Sequence, residues 1–356
     1  MASRRIHPDS ASWRMSGCCV FQGGMERWGD MQSDIQPMVS IVILHFHDIK
    51  DTLWCLKSCM EMEYENFQVV VVCNGTPGSD FDVLNNTAYT HAPCFVVQNE
   101  KNLGYAGGMN TGIVESFKNT DVEYVLVLNN DAVLEKSAVS EMVQSAGSAE
   151  VDMVAPRLVG LKYPHHTESM GMQLNRGWFP FLRKSQDEHI FCPSGGAALY
   201  SRTILEKLYT IDGYYFDPDF FCYNEDVDLG WRARRAGFGV CTAVNAIVYH
   251  EWSGSTSVGS SFSVYHSMRN VWWVLVKNMG KGDVWRFGLW IALIWAIFAL
   301  RYTFSSRIGA FWRAQIDGIK GFSLAISKRK GLYPNMSAER SPRLIPRYLM
   351  RPGGND

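Results

Sequence analysis

The chain has 356 residues, of which 47% are hydrophobic, enough to build the core of one large domain or of two. Its formal net charge of −1 lacks the basic excess that proteins use to bind nucleic acids, so we expect no nucleic-acid partner. The nine cysteines are scattered without a C-x-x-C pair. That pattern suits neither a zinc site nor a disulfide framework, and it favours reduced thiols in the cytoplasm.

The N-terminal segment, residues 1–36, has a mixed composition that includes Gly and Ser. It lacks the continuous apolar stretch of a signal peptide. We expect it to be a poorly ordered extension that precedes the folded part of the chain.

Between residues 39 and 131, short runs rich in β-branched residues alternate with helical segments around 51–60 and 106–118. This alternation predicts βαβ units and an α/β fold with a mainly parallel sheet flanked by helices. Ligands bind outside the carboxyl ends of such strands, so the residues there should face one crevice. The predicted strands are VSIVILHF (39–46), FQVVVV (67–72), CFVVQN (94–99) and YVLVLNND (124–131). The residues at their ends are His45, Phe46, Asp48, Cys73, Asn74, Asn99, Asn102, Asn129, Asn130 and Asp131.

The second half of the chain is less regular. VDMVAPRLVG (151–160) predicts a strand, residues 160–190 a loop-rich stretch, and PSGGAALYSR (193–202) a tight segment followed by a short helix. GVCTAVNAIVYHEWSGSTS (239–257) predicts a strand that runs into a polar loop, with a turn at 252–254.

Three acids, Glu225, Asp226 and Asp228, lie within four positions and are followed at once by arginines. Acids stabilise the first turn of a helix and cations the last, so this order predicts a helix over 227–236. Asn224 or Asp226 would then be its N-cap, with a glycine at 237 just past its end.

The same acids also allow a catalytic interpretation. Asp228 and Arg232 would form an i,i+4 ion pair on the predicted helix. That pairing does not explain why Glu225 and Asp226 follow an aromatic, mostly uncharged run. A carboxylate beside apolar surface has a raised pKa, which is what a general base needs.

The segment NEKNLGYAGGMNTG (99–112) carries Gly104, Gly107, Gly108 and Gly112. Their spacing differs from the dinucleotide fingerprint G-x-G-x-x-G, which disfavours a nicotinamide-dependent oxidoreductase. A glycine-rich start of a helix can still hold a phosphate or a sugar through its N–H groups.

Asp131 and His250 each stand just beyond a predicted strand. Asp131 could be the N-cap of a following helix or, beside a diphosphate, a metal ligand. His250 could be a second ligand or a structural histidine. The residues alone leave both alternatives open.

Past residue 258 the chain is helical and aromatic. FGLWIALIWAIFAL (287–300) has no charge, and from Arg301 onward 11 Lys and Arg face three acids. The uncharged run is shorter than the roughly 18–20 residues needed to span a bilayer. We expect residues 259–356 to associate with a membrane surface through this segment; a buried core helix, an oligomer contact and a full span are the alternatives.

Taken together and in order, these motifs resemble glycosyltransferase family 2, in its rhamnosyltransferase-like and galactofuranosyltransferase-like branch. The resemblance spans residues 38–256. Its most specific parts are N-L-G-Y-A-G-G-x-N and E-D-V-D-L-x-x-R. The motifs are VSIVILHF, VVVVCNG, NLGYAGGMNTG, LNNDA, SGGAALYSR, FDPDFFCYNEDVDLGWRARRAG and YHEWSGS.

The resemblance implies a GT-A type fold over residues 37–258 and inverting transfer of a sugar from a nucleotide-diphosphate donor, with Mg²⁺ or Mn²⁺ as cofactor. It implies that Asp226 is the base for the acceptor hydroxyl and Glu225 its partner, and that Asp131 and His250 hold the metal. The residues implied to shape the donor site are His45, Phe46, Asp48, Asn74, Asn102, Gly104, Gly107, Gly108, Asn110, Asn129, Asn130, Gly195, Gly196 and Arg232.

Two segments depart from the family's pattern. The run His45-Phe46-His47-Asp48 replaces the more usual aromatic-Asn ending of the first strand. Cys73 stands where the family usually has an Asp that contacts the nucleobase, and a thiol cannot reproduce that hydrogen bond. A non-catalytic module that binds a sugar nucleotide or a glycan is therefore the alternative hypothesis. By resemblance the leading sugar is rhamnose, the acceptor a lipid-linked or cell-surface polysaccharide, and the location the cytoplasmic face of the cell membrane.

Overall fold

A computed structural model describes residues 36–88, 93–175, 177–250 and 259–329. The predicted extension at 1–36, the turn at 252–254 and the end of the basic tail therefore lie almost entirely outside the described residues. The strands are β1 (Met38–His45), β2 (Phe67–Asn74), β3 (Cys94–Asn99), β4 (Val122–Asn129), β5 (Ala132–Leu134), β6 (Met153–Gly160), β7 (Thr167–Ser169), β8 (Met172–Leu174), β9 (Pro180–Leu182), β10 (Ala197–Ser201) and β11 (Val240–His250).

Helices connect and cover these strands. They are α1 (Ile49–Met60), α2 (Gly78–Ala88), α3 (Gly104–Ser116), α4 (Ala138–Ala149), α5 (Arg202–Asp212), α6 (Glu225–Arg235), α7 (Ser261–Asn278), α8 (Lys281–Thr303), α9 (Ile308–Lys320) and α10 (Phe322–Lys328), with a 3-10 turn at Pro218–Phe220.

The main sheet is mixed, in the order β3-β2-β1-β4-β10-β6-β11-β5, with β7 paired to β6. Strands β3, β2, β1 and β4 are parallel, and so are β6 and β11. The predicted strands over 39–131 are confirmed, as is the mainly parallel sheet. The sequence did not indicate α2, β5 or the short strands β7 to β9, of which β8 and β9 form a separate hairpin.

Both faces of the sheet are buried, as β1 shows: its alternate residues belong to different hydrophobic core clusters. Ile41 and Ile43 belong to one cluster, and Val42 belongs to the cluster beneath α3. Helix α3 lies close to the strands because it carries glycines there. A Cβ at Gly112 would lie 2.2 Å from a methyl carbon of Val42.

The C-terminal helices share a third cluster with the α6 helix. Trp231 of α6 stacks on Trp178 at 4.6 Å, and Trp272 of α7 stacks on Trp295 of α8 at 4.4 Å. The packing of α7 against α6 matters for function, because α6 carries the acids that the sequence singles out. The division of the chain at residue 258 stays a prediction.

Candidate active site

Asp131 and His250 come together because β5 pairs antiparallel with β11, in a register that sets Ala132 opposite His250. Asp131 Oδ1 lies 3.3 Å from His250 Nε2. A strand, β5, follows Asp131 directly, so the alternative that Asp131 caps a helix is wrong.

Two further side chains contact the imidazole of His250. Glu168, on β7, has Oε2 at 3.3 Å from Nδ1, and Asn129 has Nδ2 at 3.3 Å from Nε2. Burial opposes protonation of His250, but the hydrogen bonds and charges of Asp131 and Glu168 outweigh burial and raise its pKa to about 9. Glu168 therefore orients and polarises the ring that faces Asp131.

The pair offers one oxygen and one nitrogen to a divalent cation. Neighbouring ligands of an octahedral ion at 2.0–2.1 Å lie about 3 Å apart, close to the observed separation of Asp131 and His250. Among the described residues no group of three or more His, Cys, Asp or Glu side chains could hold a metal ion. Such ions are commonly bound by one or two protein ligands plus substrate phosphates, so the pair fits a metal that arrives with a diphosphate.

Asp226 lies inside the first turn of α6, not at its N-cap. Asn224 occupies the N-cap position with a φ of 67° and without a side-chain cap, so the predicted capping role of Asp226 is wrong. The Asp226 carboxylate accepts hydrogen bonds from the backbone N–H groups of Gly195 and Val227, both at 2.8 Å. Burial raises the pKa of Asp226 although these bonds oppose it.

Glu225 is buried, with 5% of its surface exposed. Its Oε2 has no hydrogen-bond partner within the described part of the chain. Burial and the adjacent Asp226 charge raise its pKa well above the ordinary value. Tyr105, on α3, donates from its hydroxyl to the carbonyl of Gly195 at 2.5 Å, so it supports the segment that contacts Asp226.

The asparagines beyond β2 and β3 bond to one another. Asn74 donates to Asn102 at 3.0 Å and accepts from Asn99 at 3.0 Å, and Asn102 accepts from the Gly104 N–H at 2.8 Å. This network fixes the start of α3. Side chains thus join the ends of β2 and β3, two of the strand ends that the sequence places at one crevice.

The glycines of α3 are needed for close packing. A Cβ at Gly104 would lie 2.2 Å from the Phe221 carbonyl oxygen, and one at Gly108 would lie 2.2 Å from Leu44 Cδ1. At Gly107 a Cβ would meet Leu103 at 2.6 Å. Nearby, Asn110 exchanges two hydrogen bonds with the backbone of Phe216. Packing accounts for these residues, and their contact with a sugar donor stays a prediction.

The sequence model described as "Glycosyltransferase like family 2" matches residues 37–280, more than half of the chain. The chain belongs to this glycosyltransferase family.

The chain is 27% identical over 209 residues to the low-salt glycan biosynthesis hexosyltransferase Agl10 of Haloferax volcanii, a match that covers 54% of this chain and 66% of the relative. The chain thus spans just under two thirds of that relative's length.

Two solved structures resemble the fold of this chain. Residues 1–349 of S. aureus TarS give a TM-score of 0.52 at 15% identity, covering 81% of this chain and 80% of that one. The mannosyltransferase PcManGT from Pyrobaculum calidifontis, in complex with GDP-Man and Mn²⁺, gives 0.50 at 16% identity, covering 85% and 82%. These likenesses show the fold, and it is the GT-A type that the sequence predicts.

At the end of β1 a series of hydrogen-bonded polar side chains runs through the interior. Buried His45 bonds to Thr52 at 2.7 Å, and Thr52 accepts from Asn130 at 3.1 Å. The other ring nitrogen of His45 lies 3.4 Å from Asp80 on α2. Burial lowers the pKa of His45. Asp80 thus brings a partly exposed carboxylate beside the end of β1.

Three further residues at these strand ends face different surroundings. Asp48 caps α1, where its carboxylate accepts from the Lys50 N–H at 2.9 Å. The Phe46 ring packs on His47 at 4.0 Å. Cys73 is fully buried in the core, and burial raises the pKa of its thiol to about 11.

Arg232 is fully buried behind the acids of α6. It bonds to Asp228 at 2.8 Å, which confirms the predicted i,i+4 pair, and also to Asp212 at 3.2 Å and to the carbonyl of Tyr215. These contacts hold α6 in place, and the role of Arg232 in the donor pocket stays a prediction.

Sequence reasoning missed Glu168, Tyr105 and Thr52. Glu168 comes from a loop-rich stretch with no periodic signal. Tyr105 lies inside the glycine-rich motif, where it could have been found as the polar aromatic of N-L-G-Y-A-G-G. Thr52 is indistinguishable in sequence from any polar residue of a helix.

Proposed function

We propose that this glycosyltransferase moves a sugar, with inversion, from a nucleotide-diphosphate donor to a hydroxyl of a lipid-linked or cell-surface polysaccharide. One observation carries the proposal: two consecutive glycines join the candidate base to the candidate metal ligands. Gly195 donates to Asp226 at 2.8 Å, and the Gly196 carbonyl accepts from the Asn129 N–H at 3.0 Å. Asn129 in turn contacts His250.

In this proposal Asp226 takes the proton from the acceptor hydroxyl. Its buried carboxylate has a raised pKa, which suits a general base, and two backbone N–H groups fix its orientation. Glu225 lies beside it as a second buried acid whose carboxyl has a raised pKa. We assign the orientation of the acids to α6, which the Asp228–Arg232 pair holds in place.

Asp131 and His250 would hold Mg²⁺ or Mn²⁺, which when bound supplies positive charge to the departing diphosphate. Glu168 and Asn129 set the direction of the imidazole. The sugar donor would lie along the carboxyl ends of β1, β2 and β4, over the glycine-rich start of α3. Rhamnose, as its deoxythymidine-diphosphate derivative, is our leading donor by resemblance, with uridine-diphosphate sugars next.

The proposed location is the cytoplasmic face of a membrane. Helix α8 is long and apolar enough to cross a bilayer over Gly282–Thr303 by length and composition, and a stripe of it is open to solvent. Trp285 is 91% exposed, Leu289 82% and Phe304 84%. Its other side packs on the protein through Ile294 and Trp295, which favours a helix that lies along the membrane surface.

A screen of sugar donors tests the proposal. Full-length protein in detergent is titrated with a panel of nucleotide-diphosphate sugars, with and without Mn²⁺, and thermal shift and nucleotide release are measured. We expect metal-dependent binding of one donor, lost in Asp131→Asn. In Asp226→Asn we expect that binding to persist and nucleotide release to fail. Absence of binding and release with every donor would refute the proposal.

A second candidate is a non-catalytic module that binds a sugar nucleotide or a glycan. It is favoured by Cys73, whose buried thiol stands where the resemblance implies a nucleobase-binding acid. This candidate predicts that Asp226→Asn leaves the function of the protein intact. A transferase would lose turnover in that variant.

A further inference from the structure

The loop that enters α6 has an unusual backbone. Phe221, Tyr223 and Asn224 have φ values of 64°, 71° and 67°. Side chains with a Cβ disfavour this left-handed region, most of all bulky ones, so the conformation costs free energy. Such strain persists only where surrounding contacts impose it, and it concentrates at functional sites.

Helix α7 imposes this conformation through Asn270, which is fully buried. The nitrogen of its side-chain amide lies 2.9, 2.8 and 2.6 Å from the carbonyl oxygens of Phe220, Cys222 and Tyr223, so its two N–H groups are shared among three acceptors. From the opposite side, the Ala106 N–H donates to the Phe221 carbonyl at 3.2 Å. The loop is therefore clamped between α7 and the start of α3.

The clamped loop presents aromatic rings beside α7. The Phe221 ring stacks on His266 with centroids 5.5 Å apart, and Phe262 lies 4.4 Å from His266. Tyr223 lies 6.4 Å from Phe262. We call these four residues the aromatic cluster. Phe262 is 40% exposed, so the cluster reaches the surface.

His266 adds a polar group that nothing satisfies. It is 9% exposed, and its Nδ1 has no hydrogen-bond partner in the ranges that the structure describes. Buried polar atoms are nearly always paired, so an orphan one indicates a missing partner. Burial, together with Arg269, lowers the pKa of His266 to about 4. The ring is neutral at pH 7 and can exchange hydrogen bonds with a hydroxyl.

The cluster is next to the candidate base. Tyr223 precedes Asp226 by three positions. Contacts also connect the two: Ala106, which bonds to the Phe221 carbonyl, follows Tyr105, and Tyr105 bonds to Gly195, the residue that donates to Asp226. The loop that carries two rings of the cluster therefore leads directly into the first turn of α6, where the candidate base lies.

We propose that the aromatic cluster is the subsite for the sugar ring that carries the accepting hydroxyl, so that the acceptor is a saccharide and not a bare lipid phosphate. This inference rests on the proposed transferase function. The apolar C–H face of a sugar packs on the aromatic rings, and His266 pairs with a ring hydroxyl. Asn270 fixes the strained loop against α7, the helix that carries Phe262 and His266.

The test uses Phe262→Ala and His266→Phe in the full chain, with Phe95→Ala as the matched control because Phe95 is 48% exposed on β3, outside the cluster. The probes are the methyl glycosides of rhamnose, mannose, glucose and galactofuranose, with farnesyl phosphate as the sugar-free probe. Transfer is followed by nucleotide release with the sugar donor found in the screen. Glycoside binding is followed separately by saturation-transfer NMR, which needs no donor.

We expect one glycoside to bind and to accept sugar. Its KM should rise about five- to tenfold in Phe262→Ala, with the KM for the sugar donor unchanged and the control within about twofold of wild type. His266→Phe keeps the ring stacking and should raise the same KM. Equal acceptor KM in all variants, binding of no glycoside, or transfer to farnesyl phosphate alone would overturn the inference. If the protein binds and cleaves none of the sugar donors, the proposed function is overturned instead. The NMR measurement of glycoside binding needs no donor, so it distinguishes the two failures.

Discussion

Lys277 Nζ lies 2.8 Å from the Asp228 carboxylate, and both side chains are buried. The contact ties α7 to the helix that carries the candidate base. The same ammonium lies 2.8 Å from Asp217, which Lys328 of α10 also contacts. Lys277 and Lys328, both on the C-terminal helices, thus form ion pairs with acids in and near the family's acidic motif.

Removing the Lys277 charge should destabilise the whole fold. Lys277→Met leaves Asp228 and Asp217 buried with less positive charge, and breaking such a pair costs about 3–5 kcal/mol. We expect urea unfolding to show that loss, with little change for Lys207→Met on the exposed side of α5. The double variant Lys277→Met/Asp228→Asn should lose less than the sum of the single changes. Additive losses would contradict the coupling.

Acid should weaken the same contact. Asp228 is buried, which opposes ionisation, but Lys277 and Arg232 outweigh burial and lower its pKa to about 2. A carboxylate with a lowered pKa contributes stability above its unfolded pKa and loses it as the pH falls towards the folded value. About 2 kcal/mol should therefore disappear between pH 4 and pH 2.

The measurement is the unfolding free energy at several pH values in that window. Asp228→Asn should show a shallower dependence on pH than the wild type, whatever its absolute stability. Parallel curves for the two proteins would show that Asp228 does not titrate there.

The sequence predicted the strands over 39–131 because each is a short apolar run between polar segments, a local signal. The residues alone could not predict the contact between the Asp131 and His250 side chains. That contact depends on β5, which is only three residues long and resembles the start of a helix in sequence. Glu168 lies 82 positions from His250 and has no neighbouring motif. Its role follows from the pairing of β7 with β6, which depends on contacts distant in sequence.

Glu168→Gln tests whether that acid supports the candidate metal ligand. The amide keeps the shape but loses the charge that polarises His250, and changes in such supporting residues lower metal affinity about 10- to 100-fold. Mn²⁺ titration of sugar-donor binding should show this weakening, with Glu141→Gln on α4 as the control. Unchanged Mn²⁺ dependence would remove Glu168 from the site.

Asn270→Asp tests the clamp on the strained loop. The carboxylate matches the amide in shape but cannot donate to the carbonyls of Phe220, Cys222 and Tyr223. We expect kcat to fall about tenfold or more because Asp226 loses its fixed position. The KM for the sugar donor should stay within about twofold, a separation that general unfolding would not produce. Asn86→Asp, on the surface of α2, should match the wild type in both constants.

The exposed stripe of α8 should bind lipid. Burying a Leu or Trp side chain in an apolar phase is worth about 1.5–3 kcal/mol. The double variant Trp285→Ser/Leu289→Ser should therefore bind vesicles of phosphatidylcholine and phosphatidylglycerol about tenfold or more weakly in co-sedimentation. Tyr163→Ser, at a residue that is 74% exposed away from α8, should bind as the wild type does.

Two further measurements separate the alternatives for α8. If the helix lies on the surface, alkaline carbonate should release the protein from native membranes, and salt should weaken binding because Arg286 and Arg301 flank the stripe. Retention after carbonate would mean that α8 spans the bilayer. A third outcome is that the wild type and the double variant bind vesicles equally, while light scattering gives a smaller particle mass for the variant. That outcome would mean that the stripe joins copies of the chain.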